Sequence, residues 1–146
     1  MIGLVEVTRK YRFSASHRLH APQLGPAENR ELYGKCNNPF GHGHNYEIAV
    51  TVRGPVEPRS GRAVDPGLLD GLVWREVLEP FEHRNLNEEV EAFGAVVPTS
   101  ENLGREVVRR LKQNWQAVFA DGPRLERVAI AETSRNAFEV SAHEIE

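Results

Sequence analysis

The sequence contains a single cysteine among 146 residues, so no internal disulfide can form and any stable fold must rest on its core. One unpaired thiol also fits a reducing compartment. No run approaches the roughly 18 consecutive apolar residues of a membrane-spanning helix. The N-terminal stretch Met1-Ile2-Gly3-Leu4-Val5-Glu6 lacks a basic segment followed by an apolar one. The expectation is therefore a cytoplasmic protein without membrane association. A strong charge is missing as well: the net value of −3 offers no global case for binding nucleic acid or an anionic surface. Two short basic clusters, Arg9-Lys10-Arg12 and Arg109-Arg110-Lys112, read as solvated faces. Internal repeats and low-complexity tracts are absent too. What remains is ordinary for a globular protein, with 40% apolar and 27% charged residues. A chain of this length buries roughly two-thirds of its unfolded surface in one core, so a single domain over residues 1–146 is expected.

Odd positions from Val5 to Ser16 are mostly apolar, the period-two pattern of a half-buried strand ending near His17. Residues 19–43 carry Pro22, Gly25, Pro26, Gly34, Pro39 and Gly41, and read as a long loop with at most a helical turn over Ala27 to Leu32. Loops of this length in small domains usually carry function. A second strand spans Asn45 to Arg53, with Tyr46, Ile48, Val50 and Val52 on one face, and Gly54-Pro55 stops it. Asp65 then caps a helix with Pro66 at its first position; Leu69, Leu72, Val73 and Val77 form its stripe, which ends before Pro80. A second helix begins at Thr99 or Ser100, carries Leu103, Val107, Leu111, Trp115 and Val118 at helical spacing, and ends at Asp121-Gly122-Pro123. Strands over Leu125 to Ala131 and Ala137 to Ala142 complete the order ββααββ. That order predicts an α+β fold, a four-stranded antiparallel sheet with two helices on one face.

The chemistry concentrates around strand two. In Gly41-His42-Gly43-His44 the two imidazoles at i and i+2 of an extended chain project to the same side. The hairpin sets His17 beside them, on the parity of Phe13 and Ala15, so it faces inward. Three histidines with an open fourth position suit a catalytic zinc site, and the flanking glycines let the backbone approach closely. The alternative is a set of exposed loop histidines. Cys36 can reach the same cavity; it is either a small buried hydrophobe or, beside a metal or an imidazole, a thiolate base. Glu82-His83 is an acid/base pair or a surface pair. Glu132 ends the apolar run Ala129-Ile130-Ala131 abruptly. A carboxylate there would take two charge-assisted hydrogen bonds from a guanidine-like heterocycle edge, or else pair with an arginine or lie exposed. Glu101 offers a second carboxylate, or simply favours the positive end of its helix.

Taken together, FSASHRL at Phe13 to Leu19, YGKCNNPFGHGHNY at Tyr33 to Tyr46, EHRNLN at Glu82 to Asn87, PTSEN at Pro98 to Asn102 and AET at Ala131 to Thr133 resemble the 6-pyruvoyl-tetrahydropterin synthase family in its own order. The resemblance implies a tunnelling-fold (T-fold) subunit. Such subunits assemble as a homohexamer, a dimer of trimers whose sheets close into a barrel with active sites between subunits. It also implies a zinc lyase: Zn²⁺ on His17, His42 and His44, and 7,8-dihydroneopterin triphosphate as substrate, with Mg²⁺ assisting. By the same matching Cys36 abstracts a proton, His83 partners it, Glu82 supports His83, and Glu132, with Glu101 as the next candidate, anchors the pterin ring. Two positions depart from the pattern: Glu82 stands where the family has Asp, and Arg62 follows Gly61 where an apolar residue is common. The family also includes 6-carboxytetrahydropterin synthase of queuosine biosynthesis, with a shorter gap between cysteine and the HGH pair. The five residues between Cys36 and His42 point to the pyruvoyl branch. A non-catalytic metal- or pterin-binding module is the reading from another class, and it would have no need of the thiol.

Overall fold

The computed structural model describes residues 4–132 and 135–144. Thr133, the last residue of the AET motif, lies outside them. Strand β1 runs Leu4–His17 and β2 runs His42–Pro55, antiparallel in unbroken register from Leu4 opposite Pro55 to His17 opposite His42. Between them lie helix α1, Pro26–Tyr33, and a 3₁₀ turn over Gly34–Asn37 that carries Cys36. The turn read over Ala27 to Leu32 is thus a full two-turn helix. Buried Asn29 explains why so polar a segment folds. Its side-chain amide accepts from Ala21 N at 2.7 Å and donates to the carbonyls of Ala21, Leu24 and Gly25, tying the preceding loop to the helix.

Helix α2, Pro66–Val73, starts as expected: Asp65 accepts from the amides of Gly67 and Leu68 at 2.9 and 3.2 Å. Leu69, Leu72, Val73 and Val77 are fully buried. The chain does not stop before Pro80, however. A π-helical turn over Trp74–Leu78 passes into α3, Glu79–Phe81. Pro80 lacks the amide that would satisfy the carbonyl of Glu76, and its ring crowds a regular helix. The wider π turn absorbs the ring. Arg110 Nη1 donates to the Glu76 oxygen at 3.3 Å, and the guanidinium lies 4.8 Å from the Phe81 ring centroid.

Helix α4, Leu86–Glu89, follows the two-residue strand β3, Arg84–Asn85. Helix α5 runs Ser100–Phe119, capped by Thr99, whose hydroxyl accepts from Asn102 N at 3.2 Å. Leu103, Val107 and Leu111 are fully buried, with Trp115 and Phe119 nearly so, and the C-terminal end turns at Ala120 with φ 49°. Strands β4, Arg124–Ala131, and β5, Ala137–Ser141, close the element order.

The sheet order is β3-β1-β2-β4-β5. It is α+β as expected, but it has five strands rather than four, and β3 is parallel to β1. Two residues carry no periodicity to read. β3 arises because His83, at φ 57°, turns the chain so that its amide donates to Ser14 O at 2.6 Å. One sheet face packs with α2, α3 and α5 into a single core that includes Phe13, Ile48, Val50, Val128 and Ile130. Arg9 pairs bidentately with Asp70 at 2.6 and 2.8 Å, and Tyr11 donates to the same carboxylate at 2.7 Å, fastening α2 to β1. Both basic clusters meet carboxylates: Lys10 and Arg12 lie at the surface with Glu47, whereas Arg109 and the mostly covered Arg110 pair with buried Glu106, so the second cluster is not the fully solvated face expected. Among the described residues, no helix is long and apolar enough to cross a membrane.

The stripe of α5 carries the core, so Leu111→Ala should cost about 2–5 kcal/mol in urea unfolding, while Leu68→Ala, on the half-exposed face of α2, should stay within about 0.5 kcal/mol. Equal losses in the two variants would contradict the packing described.

Candidate metal centre and adjoining carboxylate

Register builds the centre. His17 and His42 are cross-strand partners, and His44 sits opposite Ala15 on the same face. Ring centroids stand 5.3 Å apart for His17 and His42, 4.7 Å for His17 and His44, and 4.2 Å for His42 and His44. The Nε2 atoms of His42 and His44 are 3.3 Å apart. Of the two glycines flanking His42, only Gly41 is demanded by space: its φ is 71° and a Cβ would lie 2.9 Å from His17 O. A Cβ on Gly43 would meet nothing within 4 Å.

The 3₁₀ turn brings Cys36 in. Leu19 N donates to Cys36 O at 2.7 Å, and buried Asn37 donates to Leu19 O at 2.7 Å. One donor atom each from His17, Cys36, His42 and His44 then lies within 4.8 Å of all the others.

Buried His17 shows what this cluster can hold. Its Nδ1 is 2.9 Å from Pro98 O, which only an N–H can satisfy, so Nε2 carries the lone pair. That Nε2 is buried without a hydrogen-bond partner, aimed among the other donors. Tyr46 Oη stands 3.1 Å from the same Nδ1. Burial pushes the His17 and His44 pKa values down, which disfavours the imidazolium form; His17 Nε2 presents a free lone pair, whereas His44 Nε2 donates to the Glu132 carboxylate and would exchange that proton for a metal. Burial, and then the Glu132 carboxylate, push the Cys36 thiol up, opposite to the lowering expected beside a metal. Without a cation the thiol stays protonated; a divalent ion among these four donors would reverse the sign. Neutral nitrogens, one soft thiol and an orphaned buried lone pair fit Zn²⁺.

Glu132 points into the centre from the end of β4. Its Oε1 is 2.8 Å from His44 Nε2, and Ser100 Oγ donates to Oε2 at 2.8 Å. With Thr99 taking the cap, the Ser100 hydroxyl is left for this bond. Glu101 is exposed on the first turn of α5. Glu82 and His83 lie elsewhere. His83 Nε2 is 3.0 Å from Glu82 Oε1, its side chain is 80% exposed, and Glu82 Oε2 accepts from Ser14 N at 3.3 Å. His83 borders a hollow of about 310 Å³ with Ser14, Ser16, Gly43 and Asn45, at positions that alternate with the three metal-type histidines, and His44 also reaches its lining. Among the described residues of one chain, no hydrogen bond joins His83 to Cys36.

Sequence reasoning missed Tyr46, Ser100 and the Pro98 carbonyl. Tyr46 shares the parity of His42 and His44 and was open to discovery; a backbone carbonyl leaves no sequence signal.

An α+β subunit with a three-histidine, one-thiol centre beside a partly buried carboxylate has the make-up of a metal-assisted lyase or hydrolase site. The family model for 6-pyruvoyl tetrahydropterin synthase matches residues 6–143, and the chain belongs to that family. The structure of 6-pyruvoyl tetrahydropterin synthase from Caenorhabditis elegans superposes with a TM-score of 0.84 at 41% identity, covering 94% of this chain and 95% of that one. The 6-pyruvoyl tetrahydrobiopterin synthase of Poecilia reticulata is 47% identical over 97 residues, 66% of each chain. A putative 6-carboxy-5,6,7,8-tetrahydropterin synthase of Archaeoglobus fulgidus is 33% identical over 91 residues, 62% of this chain and 67% of the relative.

Purified protein should carry about one Zn²⁺ per chain, lost in His42→Ala and retained in Cys36→Ala, because three histidines suffice for a catalytic-type site. Full metal occupancy by elemental analysis in His42→Ala would place the ion elsewhere.

Proposed function

We propose that this chain is a subunit of a cytoplasmic zinc-dependent lyase that converts 7,8-dihydroneopterin triphosphate to 6-pyruvoyl-tetrahydropterin with loss of triphosphate. The observation that carries the reading is the convergence of His17, His42, His44 and Cys36 beside Glu132. Held by the three histidines, Zn²⁺ would supply Lewis acidity toward the hydroxyls of the substrate side chain. Mg²⁺ would accompany the triphosphate.

The protein's own groups do the rest. Pro98 O fixes the His17 tautomer and presents Nε2 inward. Glu132, steadied by Ser100, accepts two hydrogen bonds from the guanidine-like edge of the pterin, with Glu101 the next candidate. Cys36 takes the carbon-bound proton. His83, supported by Glu82, partners the thiol. Because that pair stands on the outer margin of β1 in its own chain, the relay is assigned to Glu82 and His83 of a neighbouring subunit. A homohexamer built as a dimer of trimers, with sheets joined edge to edge, supplies such a neighbour.

The name of the Archaeoglobus relative favours a second reading, a 6-carboxytetrahydropterin synthase acting on the same substrate. The five residues between Cys36 and His42 support the pyruvoyl branch. Incubation with dihydroneopterin triphosphate and product identification by mass decides between them. Binding without turnover would instead make the chain a pterin- or metal-binding module.

Glu132→Gln should weaken pterin binding by roughly 1.5–3 kcal/mol, the scale of hydrogen bonds to charged groups; unchanged affinity by calorimetry would move the anchor. Cys36→Ala and His83→Ala should each lower turnover on the order of 10² or more while keeping zinc. Co-expressed at equal levels, the two variants should recover about a quarter of wild-type sites, since each intact site then draws thiol and imidazole from different chains. Co-assemblies as inactive as their parents would put the relay within one chain.

A further inference from the structure

A second cavity, of about 470 Å³, opens beside His42, and Glu132 is not among its lining residues. Its charged lining residues are Arg18, Arg30 and Lys35, with Asn37 and Asn38 between them, and no carboxylate lines it. This is unusual in a chain of net charge −3. Arg9, Arg12, Arg109, Arg110 and Arg127 all face carboxylates, whereas Arg18, Arg30 and Lys35 form no ion pair among the described residues. Three cations held together without a counter-charge repel one another, and an anion relieves that cost.

The cavity is also built rather than incidental. Arg18 is clamped through its backbone: its N–H donates to Asn87 Oδ1 at 2.7 Å and its carbonyl accepts from Asn87 Nδ2 at 2.9 Å. Its Nε donates to Asn37 O at 3.2 Å, which leaves the two terminal nitrogens for a ligand. Arg30 follows Asn29, the fully buried amide that locks α1 to its preceding loop. Lys35 sits in the 3₁₀ turn directly before Cys36. The C-terminal end of α1 also borders the cavity, but its partial charge of about −0.5 is small against three full positive charges.

We infer that this cavity seats the polyphosphate arm of the substrate, and that Arg30 and Lys35, with Arg18, set the preference for phosphorylated over unphosphorylated pterins. The occupant rests on the pterin reading given above. Position supports it: Glu132 is 2.8 Å from His44, His44 is 3.3 Å from His42, and His42 lines the cavity. Ring, carbon side chain and phosphates of one extended substrate would meet carboxylate, metal centre and cations in that order.

The test titrates zinc-loaded protein with the Mg²⁺ complex of inorganic tripolyphosphate, with metal content checked afterwards, and measures kinetics on dihydroneopterin triphosphate. Arg30→Gln and Lys35→Gln should each weaken tripolyphosphate binding roughly tenfold, and the double variant more, as expected for charge-assisted contacts to phosphate. KM should rise in step, and affinity for unphosphorylated dihydroneopterin should stay at the wild-type value. Arg62→Gln, away from the cavity, serves as control, and circular dichroism confirms folding. Unchanged tripolyphosphate binding and KM in the double variant would overturn the assignment while leaving the pterin reading intact. Wild-type protein that binds tripolyphosphate through Arg30 and Lys35 yet forms no pterin product would overturn the pterin reading and keep the anion seat.

Discussion

The cross-strand register of β1 and β2 is the constraint on which the centre depends. His17 opposite His42 and Ala15 opposite His44 put three imidazoles on the core side of the sheet. A slip of one residue would turn an entire strand over and send its histidines to the other face. A tight turn does not set this register, because 24 residues separate the paired ends. The buried face sets it instead: Phe13 stacks on Tyr46 at 5.2 Å, and Ile48, Val50 and Val52 have no exposed surface. Gly41 then admits the close pass of the returning chain over the His17 carbonyl. The apolar pattern that folds the sheet therefore also aligns the metal-type ligands.

That arrangement has a cost in the folded chain. A buried nitrogen without a partner is unfavourable by about 1–3 kcal/mol, and His17 Nε2 is such an atom. The surroundings hold the ring in place all the same, since Pro98 O and Tyr46 Oη fix its other nitrogen. Strain and desolvation kept at one point by a rigid frame are typical of functional sites. Lowered imidazole basicity follows from the same burial, so what weakens the site as a structure improves it as a ligand set.

Much of this was legible in the sequence, where a local period or a cap reports directly on geometry. Period-two alternation located the long strands, the HxH spacing the paired ligands, and Asp65 and Thr99 the helix starts. Signals failed where the deciding partner is remote. Pro80 reads as a stop, yet Arg110, on another helix, satisfies the carbonyl that proline leaves open. β3 has two residues and exists because of one backbone turn at His83. Cys36 could be placed near the histidines, but the 3₁₀ turn that aims it depends on the side chain of Asn37 reaching Leu19. The tautomer of His17 is set by a carbonyl 81 positions away, which no residue identity encodes.

His83 holds a backbone conformation that its neighbours impose. A non-glycine residue at φ 57° is strained, by about 1–3 kcal/mol, and is kept only where its surroundings impose it. Here they do: its amide is fixed on Ser14 O, and Glu82 holds both the Ser14 amide and the His83 ring. The result presents an imidazole to solvent at the margin of β1, a strand that meets β3 only at Ala15 and Ser16 and otherwise leaves that edge open among the described residues. At the other end of the sheet β5 pairs, among the described residues, only with β4. A long uncovered edge is a liability in a monomer and a joint in an assembly. The strain maintained at this edge aims the side chain outward, away from its own core. That direction is the one required by the proposed relay, in which the thiol partner would stand on an adjacent copy.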